Sequence, residues 1–135
     1  MGGTPKAILV VDDEPSIRLL CRVNLELEGH RVLEAGTLDE ARRLLEVHDV
    51  AAVLLDVHVG GERGSSLLYE LRDAEDAIAV AFLTGTEMLS DAETAAADAI
   101  LRKPFAIDAL TDTVRRLLSY VDSGIDESHC RPQRR

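Results

Sequence analysis

The stretch Val50-Ala51-Ala52-Val53-Leu54-Leu55-Asp56 decides the fold. Its six leading positions are all apolar, without the alternation of a strand that has one wet face, and it stops on an acid. Such a run suits a strand covered on both faces, as in parallel sheets. Three other runs behave alike: Ala7-Ile8-Leu9-Val10-Val11 leads into Asp12-Asp13, Ile78-Ala79-Val80-Ala81-Phe82-Leu83 into Thr84, and Ala99-Ile100-Leu101 into Lys103-Pro104. In an open parallel sheet, ligands gather outside the carboxyl ends of the strands. If these runs are neighbouring strands, three carboxylates, one hydroxyl and one ammonium meet in one crevice.

Helical patterns fill the intervals. Pro15 suits a first helical turn, and Ile17, Leu20, Cys21 and Leu27 keep helical spacing until Gly29 stops the helix. A short strand is read over 31–34. Thr37-Leu38-Asp39-Glu40 is a capping box, with Leu38, Ala41, Leu44 and Leu45 as the buried stripe behind it. Gly60-Gly61-Glu62-Arg63-Gly64 reads as a loop and is followed by a short helix from Ser65 to Arg72. An Ala-rich helix is expected over 90–98, a strand over 99–102, and a last helix over 105–121 with Ile107, Leu110, Val114, Leu117, Leu118 and Val121 on one face. Five strand–helix units imply an α/β fold with a doubly wound parallel sheet covered by helices on both sides. Residues 1–121 form one domain, and 122–135 lack apolar periodicity and read as a flexible C-terminal tail.

The bulk numbers narrow the function. The chain has 135 residues, two Phe, two Tyr and no Trp, so its core is aliphatic and it offers no stacking platform for nucleic acid. A net charge of -10 repels phosphate backbones, so no direct nucleic-acid binding is expected. No apolar run approaches a membrane span, and the opening residues carry no secretory pattern, so a cytoplasmic location is expected. Cys21 reads as a buried small hydrophobe and Cys130 as a free thiol.

Carboxylates crowded into one cleft repel one another, and a dication removes that penalty. Mg2+ fits, because it takes a few carboxylates and keeps room for phosphate oxygens. Asp12 and Asp13 would supply the metal-side charge, and Asp56 would share the metal and act as nucleophile. Lys103 and the Thr84 hydroxyl would neutralise a phosphoryl group in flight. The product would be an acyl phosphate.

These corners resemble the receiver domain of two-component response regulators. Val10-Val11-Asp12-Asp13-Glu14-Pro15 is similar to that family's opening motif, and Asp56, Thr84 and Lys103-Pro104-Phe105 to its phosphoacceptor, switch hydroxyl and Lys-Pro corner. Gly64, eight residues after Asp56, matches the family's loop glycine. The resemblance covers roughly 6–121. It implies a flavodoxin-like (βα)5 fold with strand order 2-1-3-4-5. It also implies Mg2+-dependent transfer of a phosphoryl group to Asp56 from a phosphohistidine on a histidine kinase or phosphotransfer protein, followed by a change in affinity for an unknown downstream target. It further implies a backbone-carbonyl metal ligand at His58, a cis peptide between Lys103 and Pro104, and a possible homodimer through the face of helix four, strand five and helix five. A domain of this kind promotes its own phosphorylation and dephosphorylation, here at Asp56, but is not a turnover enzyme.

The chain departs from the family pattern. Gly60 stands where Pro is common, Ile100 replaces the aromatic switch residue, and only 19 positions separate Thr84 from Lys103, which predicts a shortened fourth helix. The usual Gly-Ala exit before the fifth strand is Ala96-Ala97-Asp98-Ala99. The Gly-Gly loop is expected to be more mobile. His58 and Thr86, two residues beyond Asp56 and Thr84, are candidates for tuning the lifetime of the acyl phosphate. The altered switch region favours a competing reading, a phosphorylation-independent interaction module. The complete acidic set with Lys103 disfavours it. An aspartyl-nucleophile phosphatase would want a second acid where His58 stands, and no Gly-rich phosphate loop opens the first helix.

Overall fold

The computed structural model describes residues 6–74 and 77–123. Strands β1 (Ala7–Val11), β2 (Arg31–Ala35), β3 (Val50–Asp56), β6 (Ala79–Thr84) and β7 (Ala99–Arg102) form one parallel sheet in the order β2-β1-β3-β6-β7. Two short strands, β4 (His58–Val59) and β5 (Glu62–Arg63), make a separate antiparallel pair and take the intervening numbers. Counted along the main sheet alone, the order is second, first, third, fourth, fifth, as expected. Helices α1 (Pro15–Leu27), α2 (Leu38–Val47), α3 (Ser65–Asp73), α4 (Asp91–Ala96) and α5 (Ile107–Ser123) connect and cover it.

The apolar strands bury both faces because alternate side chains point to opposite sides. Ile8, Val10, Ala52, Leu54, Ala81 and Leu83 pack with Cys21 and Leu25 of α1 and with Leu110, Val114 and Leu117 of α5. Leu9, Val11, Val53, Leu55, Val80 and Phe82 pack with Leu38 and Ala41 of α2 and with Leu67, Leu68 and Leu71 of α3. Burial pushes the Cys21 thiol up to about 12, with the Asp12 charge adding to it, so Cys21 serves as a small core hydrophobe. Cys130 lies outside the described residues.

Several local expectations are corrected. On α1 the buried residues are Cys21 and Leu25, whereas Leu20 and Leu27 face outward. The α2 cap forms with Thr37 Oγ1 accepting from the Glu40 amide at 3.1 Å, but Glu40 Oε1 returns to the amide of Gly36. The Gly60–Gly64 loop is a hairpin. Gly60 and Gly61 have φ of 59° and 85°, the left-handed pair that a two-residue turn between twisted strands requires. Helix α4 is six residues long, shorter than the 90–98 span, and a capping box between Ser90 and Glu93 starts it. Helix α5 spans Ile107–Ser123 where 105–121 was expected, and residues 124–135, most of the expected tail, lie outside the described residues.

Gly64 caps α3 close against the end of β3. A Cβ there would collide with the Asp56 carbonyl oxygen and crowd the Leu55 side chain, so the position admits glycine on space alone. Among the described residues, no helix is long and apolar enough to cross a membrane.

Candidate functional site

Each polar signature sits where its strand ends. Asp12 and Asp13 follow β1, Asp56 closes β3, Thr84 closes β6, and Lys103 follows β7. The sheet register aligns these ends: Val11 pairs with Leu55, Asp56 with Leu83, and Thr84 with Arg102. The Lys103 amide then donates to the Thr84 carbonyl at 2.7 Å, and the Lys103–Pro104 peptide is cis.

Asp12, Asp13 and Asp56 each offer a carboxylate oxygen within 4.8 Å of the others. Asp12 and Asp56 are buried, and Asp13 is exposed at the rim. Lys103 Nζ lies 2.8 Å from Asp12 Oδ2, 3.5 Å from Asp56 Oδ2 and 3.6 Å from Glu14 Oε1. The geometry thus unites Asp12, Asp13, Asp56 and Lys103, as the sequence predicts.

Short hydrogen bonds orient these groups. Asp12 Oδ1 accepts from the Glu14 amide at 2.9 Å, Asp56 Oδ1 from the Val57 amide at 2.8 Å, and Asp13 Oδ2 from the Gly60 amide at 3.0 Å. Arg18 donates from Nη1 to the Asp12 carbonyl at 2.6 Å while its Nε holds Glu34, which fixes the turn after β1. Thr84 is buried, with its hydroxyl 3.4 Å from the carbonyls of both Gly85 and Glu87. His58 is exposed, its Nδ1 3.8 Å from Glu87 Oε2 and its Nε2 3.4 Å from Arg63 Nη1. Thr86 and Ile100 line an open cavity of about 440 Å3 with Met88, Leu89 and Thr94.

The electrostatics show what the site lacks. Burial pushes the Asp56 carboxyl up to about 6, and the neighbouring Asp12 charge adds to this. The Lys103 ammonium and the Val57 amide oppose the rise without cancelling it. Burial alone would lower the Lys103 pKa, but its bond to Asp12 and the charges of Asp12, Asp56 and Glu14 outweigh that and raise it. One ammonium serves three clustered carboxylates, so the pocket is short of positive charge. A hard dication with oxygen ligands supplies what is missing, and the donor set suits Mg2+.

Four contributors escaped the sequence reading. Gly60 acts through its amide and Arg18 through a carbonyl, and neither role has a side-chain signature. Arg63 and Glu93 form a two-pronged ion pair, with both N–O distances 2.7 Å. The hydrogen bond from Arg63 holds the Glu93 carboxyl down at about 2. The Gly-Gly pair was the available signal, since two glycines between short runs mark a hairpin.

Comparison with known proteins follows the same lines. A family model for the response regulator receiver domain matches residues 8–115. The chain is 35% identical over 117 residues to the C4-dicarboxylate transport transcriptional regulatory protein DctD of Pseudomonas aeruginosa, covering 82% of this chain and 25% of that protein. It is 35% identical over 115 residues to the aerobic respiration control protein ArcA of Escherichia coli K12, covering 83% and 48%. The chain therefore spans about a quarter to a half of the length of these curated relatives. Among solved structures, the response regulator protein TrrA from Thermotoga maritima in complex with Mg2+-BeF aligns with a TM-score of 0.76 and 34% identity, covering 84% of this chain and 99% of that one.

Proposed function

This chain belongs to the response regulator receiver domain family, and from that premise we propose that it takes a phosphoryl group from a phosphohistidine onto Asp56 with Mg2+ bound. The observation that carries the reading is the joint placement of Asp12, Asp13, Asp56 and Lys103 in one charge-deficient pocket. Asp12, Asp13 and Asp56 would hold the metal, with the His58 backbone carbonyl as a further ligand. Bound Mg2+ would supply charge neutralisation for the phosphoryl oxygens.

The remaining steps belong to the protein. A carboxylate oxygen of Asp56 attacks phosphorus as the bond from phosphorus to the donor imidazole nitrogen breaks, and an acyl phosphate forms. Lys103 turns from Asp12 toward a phosphoryl oxygen, and the Thr84 hydroxyl leaves the loop carbonyls to donate to another. Drawing Thr84 inward pulls on the Gly85–Glu87 loop, which lies beside Ile100 and α4. The domain promotes its own phosphorylation and is not a turnover enzyme. His58 and Thr86 tune the lifetime of the product. The domain acts in the cytoplasm, does not itself bind DNA, and changes its affinity for a protein target. Any self-association would use the face of α4, β7 and α5.

The test is incubation with Mg2+ and a small phosphodonor, read by intact mass. One phosphoryl group is expected per chain, lost when Mg2+ is withheld and lost in Asp56→Asn. Full labelling of Asp56→Asn would contradict the assignment, and an unlabelled native chain would favour the phosphorylation-independent module.

Helix α1 is apolar on two opposite faces. Cys21 and Leu25 are in the core, while Leu19, Leu20, Val23 and Leu27 are 50%, 37%, 45% and 81% exposed. An exposed row of large apolar side chains marks a surface suited to a partner. Helix α1 starts two residues after Asp13, so a protein delivering phosphohistidine to Asp56 would approach beside its first turn. We propose that this stripe receives an amphipathic helix of the donor. Leu19→Ser combined with Val23→Ser is expected to slow transfer from a phosphohistidine protein by about tenfold, with the small-donor rate unchanged. Equal slowing with both donors would contradict this docking site.

A further inference from the structure

The side chain at position 100 carries no ring, yet a continuous set of contacts joins the metal-site carboxylates to α4 by another route. Arg63 of β5 grips Glu93 of α4 through Nε and Nη2, both at 2.7 Å, and Nη2 also donates to the Met88 carbonyl at 2.8 Å. Glu93 is buried, although it is a charged residue on a six-residue helix. In the hairpin, Arg63 pairs with His58 and Glu62 with Val59. Its turn residue Gly60 donates its amide to Asp13 Oδ2 at 3.0 Å. A proline at 60 could supply neither that amide nor the positive φ.

We infer that Arg63 and Glu93 are positioning residues: through the β4–β5 hairpin they hold the Gly60 amide on Asp13, so that occupancy of the metal site and the placement of α4 are coupled. This rests on the function proposed above and goes beyond it, because it assigns the signal a route that does not need a ring at position 100. Coupling of this kind is reciprocal: whatever fixes α4 strengthens metal binding, and metal binding restrains α4. A bidentate guanidinium–carboxylate pair suits the task because it fixes orientation as well as distance. The far end of α4 is held separately, by Arg72 donating to the Ala96 carbonyl at 3.1 Å and to Asp98 at 2.8 Å.

The experiment is a Mg2+ titration of the isotope-labelled chain, followed by the amide signals of positions 60, 93 and 94. In the native protein all three are expected to move along one binding curve. Arg63→Ala and Glu93→Gln are each expected to weaken Mg2+ binding by about five- to tenfold, and the double variant no further than either alone. In both single variants the amide at position 60 still follows Mg2+, whereas the amides at positions 93 and 94 no longer do. Val114→Ala, a core truncation in α5, serves as the loosened control and is expected to retain native affinity. Native affinity in Arg63→Ala and Glu93→Gln, or equal weakening in Val114→Ala, would overturn the inference while leaving the phosphoacceptor assignment standing. A native chain with no Mg2+ response would overturn that assignment itself.

Discussion

Asp56→Asn is expected to make the metal-free protein more stable near neutral pH, against the usual direction of a substitution. Burial raises the Asp56 carboxyl from 3.8 to about 6, so the fold keeps a proton that the unfolded chain has already released. Below 3.8 both states are protonated and the residue adds no pH dependence. Between 3.8 and about 6 the unfolded chain ionises first, and stability falls as pH rises. Above about 6 the cost is complete, and that gap corresponds to about 3 kcal/mol. Asparagine carries no charge and escapes this cost. Urea unfolding without Mg2+ is expected to show a gain of about 1–3 kcal/mol near neutrality, fading toward zero in acid. Saturating Mg2+ should narrow the difference, because the dication compensates the buried charge of Asp56. A variant no more stable than the parent at neutral pH would show that burial does not strain the ionised Asp56.

Lys103→Met is expected to do the opposite. The ammonium is the cation 2.8 Å from Asp12, whose side chain is fully buried, and 3.5 Å from Asp56. Methionine keeps much of the stem's bulk but leaves a buried carboxylate uncompensated, a change that costs about 3–5 kcal/mol when one partner of a buried pair is removed. Because Asp56 can take up a proton in response, a loss near about 3 kcal/mol is expected at neutral pH. Two recoveries should follow. Mg2+ should restore part of the loss, and Asp56→Asn in the same chain should restore more than its effect on the native background, since the sites are coupled. Thermal unfolding of the four proteins with and without Mg2+ measures this cycle. A loss below about 1 kcal/mol, the range of exposed ion pairs, would mean that Lys103 does not balance the acids.

The two effects have opposite signs because the pocket holds more acid than base. That imbalance was legible in the sequence, since each acid ends an apolar run and parallel strands align such ends. The pattern alone brings Asp12, Asp56 and Lys103 to one end of the sheet, and their side chains meet there. The fold was legible for the same reason: runs such as 50–55 have no polar face and demand cover on both sides.

Other features needed coordinates. The outward-facing Leu19, Val23 and Leu27 share helical spacing with the core stripe, and periodicity cannot tell which face is covered when both are apolar. Gly60 works through an amide that every residue but proline possesses, so its identity carries no functional mark. Arg63 and Glu93 are 30 positions apart, and nothing local announces a pair closed by tertiary structure. The hairpin was masked differently. Its Gly-Gly turn was visible, but the flanking strands of two residues each are too short to show alternation.

Asp56 is the residue proposed to receive phosphate, and chemical marking of that side chain tests this most directly. Borohydride reduces an acyl phosphate on aspartate to homoserine, leaving a stable label in the chain. After treatment with phosphodonor and Mg2+ and then borohydride, peptide mapping should find homoserine at position 56 and at neither 12 nor 13. Homoserine at position 12 or 13, or aspartate retained at 56 in a chain that has gained phosphate, would contradict it.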